Sequence, residues 1–292
     1  MEDVKGFDNI TKSTMYLLPE WLSQLTEDKD ESNNDEELLV KLLENDGRRA
    51  IWNMCSTLGV DSNGVPGEAC RLVERYLAVQ MRNFLSMPTG SGEWEAFKRS
   101  LTSRLPLTMI SCIQLASKMN GATFHVKAKV VRACLLCKGI TFSIVDIVQS
   151  EFNVFRVLGY RLSLWTSVEI GEALALDVGM PQEMLEGVAL FINISEYRRD
   201  RLLKRVRWAA NLTSRSEGFN RTILRTLHLA AACVAAAARY LNFKGPDPLP
   251  QLAKLTRAPV CYLRGICDII LASTLNDDII NSTSPRKRKR DS

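Results

Sequence analysis

Histidine is nearly missing: 292 residues hold two, His125 and His228. A triad-type enzyme needs a histidine within hydrogen-bond reach of a nucleophile, and neither histidine stands in a pattern that suggests one. His228 lies in an apolar helical stretch and reads as a hydrogen-bonded core side chain. Long apolar runs are missing too. The longest, 229–238, has ten residues, against the ~20 of a membrane-spanning helix. The opening Met1-Glu2-Asp3-Val4 is acidic where a secretory leader is basic and then apolar. The expected setting is cytosolic or nuclear, with the eight cysteines as thiols. The C-x-x-C pair Cys134/Cys137 has no second pair to close a zinc site, and both residues read as core thiols. Gly90-Ser91-Gly92 lacks the preceding strand of a dinucleotide turn. No phosphate loop or carboxylate metal motif occurs, so no cofactor, metal or small-molecule ligand is expected, and the pattern argues against an enzyme. Sustained period-two alternation is also absent, which removes sheet from the expected fold.

What is present is a sorted charge. Residues 1–39 carry eleven acids against three bases, a net of −8. The last nine residues carry five bases and one acid, a net of +4, and the body between them is +9. In 26–37, TEDKDESNNDEE, eight of twelve residues are charged. Such a segment buries too little apolar surface to offset its ordering entropy. Residues 1–35 therefore read as a disordered acidic arm. The apolar island Met15–Leu18 and Trp21-Leu22 within it reads as a loosely docked stretch or a short linear motif.

Helical periodicity runs from residue 36 onward. Leu38, Leu39, Leu42 and Leu43 recur at helical spacing, followed by helices over 49–58, 66–84, 107–119, 128–138 and 143–158, with Glu93-Trp94 opening a further one. Asn120-Gly121 is a helix stop. A linker over 159–166 ends in a cap at Thr166 or Ser167. Helices over 167–178, 181–194, 196–213, 219–242 and 257–276 follow. The expected fold is all-α, about ten helices in two groups of five joined near residue 162. The expected units are 36–162 and 163–278, with a disordered basic tail at 279–292. The core of 219–242, LAAACVAAAA, is small on every face, and a helix apolar all round is central and buried.

Two stretches carry a family resemblance. Ser111-Cys-Ile-Gln-Leu-Ala-Ser-Lys118-Met and 151–166, EFNVFRVLGYRLSLWT, resemble the third and fifth helices of a cyclin box. Gly47-Arg-Arg-Ala-Ile-Trp52 resembles a degenerate start of its first helix, and Val73-Glu-Arg-Tyr-Leu77 the end of its second. Trp94-Glu-Ala-Phe-Lys-Arg-Ser-Leu, leading into 107–118, resembles the cyclin-like family of cyclin N-terminal domain-containing protein 1. The resemblance is strongest over 94–178, fair over 48–86 and faint beyond 180. It implies a cyclin fold, with a five-helix cyclin box followed by a divergent second five-helix domain. It also implies a non-catalytic nuclear regulator on meiotic chromosomes that promotes crossover formation and maturation at recombination sites. Its partners would be meiotic recombination proteins and a cyclin-dependent kinase, for which it would act as scaffold or regulatory subunit. Cyclins press the kinase's regulatory helix inward and complete its Lys–Glu pair. The box positions that touch the kinase, a lysine ending helix three and a glutamate opening helix five, match Lys118 and Glu151. Each charge complements its helix end; from the residues alone they are equally a solvated ion pair. The peptide-docking patch of cyclins matches Arg48, Ile51, Trp52 and Cys55. Arg48 stands where methionine is usual and Cys55 where tryptophan is usual, so weak or no capture of Arg-x-Leu peptides is expected. The residues themselves leave open a helical adaptor of transcription or chromatin without a kinase, a cell-cycle cyclin, and an enzyme with an unrecognised site.

Two basic segments remain. Arg286, Lys287, Arg288, Lys289 and Arg290 read as a nuclear localisation signal. Ser284-Pro285 directly before them is a proline-directed kinase site, where a phosphate would add nearly two negative charges beside the signal. In 198–207, Arg198, Arg201 and Arg205 share a candidate contact face. It is a solvated helix face, or a surface for DNA phosphates or an acidic partner such as the chain's own −8 arm.

Overall fold

In a computed structural model the described residues are 43, 45–61, 63–85, 91–119, 126–163, 165–212 and 224–283. They form eleven α-helices and one 3-10 turn, with no strand among them. The helices are α1 (Asn45–Leu58), α2 (Val65–Leu85), α3 (Ser91–Met119), α4 (Ala128–Cys137), α5 (Ile144–Val157), α6 (Ser167–Asp177), α7 (Leu185–Tyr197), α8 (Arg199–Leu212), α9 (Thr226–Tyr240), α10 (Leu249–Thr256) and α11 (Val260–Thr283).

The buried apolar side chains fall into two clusters. One runs from Leu43 to Leu158 and is built by α1–α5. The other runs from Val168 to Ile270 and is built by α6–α11. Local chemistry sets the helix starts. Ser143 caps α5 and Thr166 caps α6, each in a capping box with Asp146 and Glu169. Two orphan donors are thereby satisfied at each end.

Three elements differ from expectation. A single helix, α3, spans the region that the sequence divides at 93 and 107, with Pro106 inside it. Proline withholds one backbone donor and crowds the preceding turn. Residues 107–117 are nonetheless all buried, and packing on α2 and α5 holds the helix through the break. The second group has six helices, because α10 forms between 242 and 257, where the sequence reading placed none. Pro248 and Pro250 stand at its start, where the N–H they lack would have no partner anyway. Finally, α11 stays helical to Thr283, into the first residues assigned to the tail. The acidic arm, residues 36–42, Asn120-Gly121, His125, Ser284 and the basic run 286–290 lie outside the described residues.

Helix α9 is the axis of the second cluster. Every residue from 229 to 238 is at most 3% exposed. It packs against α6, α7, α10 and α11, a crowd that only small side chains admit. In the first unit α3 takes the central place between α2 and α5.

Candidate functional site

Lys118 is the penultimate residue of α3, and its ammonium pairs with the Glu151 carboxylate on α5. Behind the pair, the Ser111 and Ser150 hydroxyls meet at 2.9 Å and align the two helices. The Lys118 side chain is 45% exposed and that of Glu151 14%. Glu151 does not open its helix: it is the eighth residue of α5, and Asp146 occupies the first turn. The helix-dipole argument for Glu151 therefore fails, since that field fades beyond the first turn. For Lys118 it stands. An exposed pair contributes about 0–1 kcal/mol, too little to explain the fold.

Beside the pair lies an apolar stripe that the fold leaves uncovered. Val145, Val148 and Phe152 share one face of α5 at i, i+3 and i+7 and are 75%, 53% and 53% exposed. Ile147 and Val154 on the opposite face are buried in the core. Glu151 stands at the border between the two faces.

The four docking-patch residues do not form a surface patch. Ile51 and Cys55 are buried in the first core. Trp52 packs edge-on against Tyr197 of α7, with ring centroids 5.4 Å apart. Arg48 is fully buried. The i, i+3, i+7 spacing of Arg48, Ile51 and Cys55 marks the inward face of α1, along with Met54 and Leu58. The charge at 48 is satisfied by carboxylates distant in sequence.

That satisfaction takes the form of an ionic cluster between the two helical units. The Arg48 guanidinium bonds Glu74 of α2, lies 3.4 Å from the Asp200 carboxylate and donates to the Glu196 carbonyl at 3.4 Å. Arg71 donates to Glu196 at 2.6 Å and to Glu68 at 2.6 and 3.0 Å. Arg199 reaches the Glu196 carboxylate at 3.3 Å and the Leu224 carbonyl at 2.8 Å. Close approach here depends on Gly64, whose φ is +78° and whose missing side chain would fall 2.9 Å from Thr166 Cβ. Only glycine meets both conditions.

Four carboxylates (Glu68, Glu74, Glu196, Asp200) face three guanidiniums in this cluster, and the surplus negative charge is relieved at Glu74. Burial pushes its carboxyl up to about 7, against the pull of Arg48 and Arg199. Glu196 goes the other way, to about 2: burial raises it, but Arg71, Arg199 and Arg48 together outweigh that. Burial also raises Asp200.

The candidate basic face is partly reorganised. Arg198 is the C-cap just past α7, whereas Arg201 and Arg205 stand on α8, and the three line one cleft against α11. Of the C-x-x-C pair, Cys134 is buried but Cys137 is exposed, because the helix turns position 137 outward; only Cys134 is a core thiol. The His228 ring is half-buried edge-on against Tyr262, and burial lowers its pKa. Among the described residues no group of three or more His, Cys, Asp or Glu side chains could hold a metal ion. None of their helices is long and apolar enough to cross a membrane.

No family model matches the chain. Over 115 residues it is 27% identical to Cyclin N-terminal domain-containing protein 1 of Homo sapiens, a match covering 37% of this chain and 35% of that protein. The mouse protein of the same name is 26% identical over 118 residues, covering 37% of this chain and 34% of that protein. The likeness is to cyclin-like proteins. With eleven helices and no strand among the described residues, the all-α fold is cyclin-like as well. The chain spans about a third of the length of the curated relatives it matches.

Two features of the chain escape a reading of its sequence. The exposed stripe on α5 had a signal, since IVDIVQSEFNVF is apolar on more than one face, a pattern that burial against one core does not need. The ionic cluster had a weaker one, Glu68, Arg71 and Glu74 at three-residue steps within an apolar helix. The cluster also sets a pH dependence. A carboxyl raised in the folded state stabilises the fold fully below its unfolded value, and that contribution is lost as pH rises through the folded value. For Glu74 the window is 4.5 to about 7. The depressed Glu196 acts only below 4.5, where its contribution is lost as pH falls towards 2. Thermal melts are expected to drop by several degrees between pH 5 and pH 7.5, and Glu74→Gln to flatten that slope. A melting temperature that rises over this interval in the wild type would contradict the assignment.

Proposed function

We propose that this chain is a non-catalytic nuclear regulator that promotes crossover formation and maturation at meiotic recombination sites, as the scaffold or regulatory partner of a cyclin-dependent kinase. The observation that carries the kinase reading is the exposed Lys118–Glu151 pair bordered by the uncovered stripe Val145, Val148 and Phe152. The pair contributes little to folding, and apolar side chains exposed in a row at helical spacing mark an interaction surface. A kinase regulatory helix laid on that face would bury the stripe and find both a cation and an anion at its edge. Pressing that helix inward completes the Lys–Glu pair that positions ATP phosphates. The meiotic setting rests on the cyclin-like resemblance. Nuclear entry rests on the basic run 286–290, and its tuning on a phosphate at Ser284.

The test is co-expression with individual cyclin-dependent kinases and recovery of the complex. Lys118→Ala/Glu151→Ala is expected to reduce recovered kinase at least tenfold with an unchanged circular dichroism spectrum. Recovery equal to wild type would remove the pair from the interface. No kinase with either protein would leave the scaffold role alone standing.

A further inference from the structure

Between Glu95 and Asp146 the chain carries no acid and eight bases. Half of these bases fall within 127–138, on α4 and its two ends. Lys127 is the N-cap residue of α4 and Lys138 its C-cap. Packing turns Val131, Cys134 and Leu135 into the first core. The opposite side of the helix then presents Lys129, Arg132, Ala133 and Leu136 as one exposed stripe, at i, i+3, i+4 and i+7. Leu136 is 47% exposed, and Val130 beside the stripe 45%. Helix α4 has no acid of its own to balance this charge. It packs against α1 and α5, whose acids are engaged elsewhere. Asp46 pairs with Arg49, Asp146 closes the Ser143 cap, and Glu151 pairs with Lys118. A ten-residue helix is ~15 Å long, so its like charges stand within about a Debye length or two of one another. A row of carboxylates laid along the stripe would turn that repulsion into charge-assisted hydrogen bonds.

We infer that this stripe of α4 binds an acidic peptide segment, and that its occupant is the chain's own segment 26–37. That segment has seven acids and one base, a net of −6. It ends six positions before Leu43, a step of at most ~20 Å for an extended chain. Leu43 is anchored in the same core as Val131, Cys134 and Leu135, and α1, which begins two positions later, packs against α4. The acidic segment is thus tethered to the unit that bears the stripe, and a short tether gives an effective concentration on the order of 1 mM. At that concentration even a weak ionic contact is occupied most of the time.

The experiment is zero-length carbodiimide coupling of the intact chain at low salt, followed by digestion and mass spectrometry. The reagent joins a carboxylate only to an amine that touches it. Bonds from the carboxylates of 26–37 are expected on Lys127, Lys129 and Lys138 about tenfold more often than on Lys204 of α8 or Lys254 of α10, which are exposed as well. Arg132→Glu leaves every lysine in place and is expected to cut the bonds to α4 about threefold, with an unchanged circular dichroism spectrum. Asp28→Asn/Asp30→Asn/Asp35→Asn, which alters none of the described helices, is expected to lower the bonds from the remaining glutamates as much. In 1 M salt, where the Debye length is ~3 Å, the preference for α4 is expected to vanish. Bonds spread evenly over the exposed lysines, or a preference for α4 that survives both Arg132→Glu and 1 M salt, would overturn the inference. So would bonds found only between unlabelled and isotope-labelled chains mixed before coupling, which would give the stripe to the segment of a second copy.

Discussion

Arg48→Ala is expected to lower the melting temperature by about 10 °C, read by circular dichroism, while Arg49→Ala one residue later shifts it by no more than ~2 °C. The two arginines are chain neighbours with opposite environments. Arg49 is exposed and pairs with Asp46 at 2.9 Å on the surface, an arrangement of little net value. Arg48 is fully buried against Glu74, Asp200 and the Glu196 carbonyl. Removing it strands carboxylates in the interior and widens the cluster's negative surplus. Deleting one partner of a buried ion pair costs about 3–5 kcal/mol. A domain of this size loses about 2–4 °C per kcal/mol. Arg48→Met should be nearly as damaging, since it fills the space but leaves the carboxylates unpaired. Arg48→Met/Glu74→Leu should recover part of the loss, because a buried pair replaced on both sides by apolar groups can be close to neutral. Similar melting temperatures for Arg48→Ala and Arg49→Ala would show that the cluster does not hold the two units together.

Ala235→Leu is expected to destabilise the protein by about 3 kcal/mol, at the upper end of the cost of overpacking. Ala235 lies in the middle of α9 and is 1% exposed, and its neighbours in the helix are equally covered. Most buried helices keep one polar face into which an enlarged side chain can turn. Here α6, α7, α10 and α11 surround the element, so the added carbons must displace a helix or leave their rotamer wells. Leu190→Ala is the matching control. Leu190 lies on the neighbouring α7 but is exposed, and its truncation should change stability by no more than ~0.5 kcal/mol. Denaturant unfolding of both variants measures the difference. A neutral Ala235→Leu would mean that a void beside α9 absorbs the side chain.

These contrasts mark how far the sequence could be read. The run LAAACVAAAA needed no structure to be called central, because small size on every face is a property of the residues themselves. The cap at Thr166 or Ser167 was legible for the same reason, and Thr166 takes it: a hydroxyl followed by an acid three residues later bonds within one turn. Helix α10 was missed although Pro248 and Pro250 stand at its start, because proline breaks a helix interior and starts a helix equally well, and composition does not say which. Glu151 misled because its distance from the start of α5 depends on where Ser143 begins the helix.

Arg48 is the most telling case. It stands on the inward face of α1 by spacing and on the outside by chemistry, and the partners that resolve the conflict, Glu196 and Asp200, are about 150 positions away. The sequence alone determined the all-helical class, the central alanine helix and the pairing of opposite charges at 118 and 151 as an expectation. Only the tertiary structure decided which arginine is buried, which face of α5 is left uncovered and which guanidiniums meet at the α8–α11 cleft. Helix formation depends on neighbours within four residues, whereas desolvation and ion pairing depend on distances in space that the packing of separate elements sets.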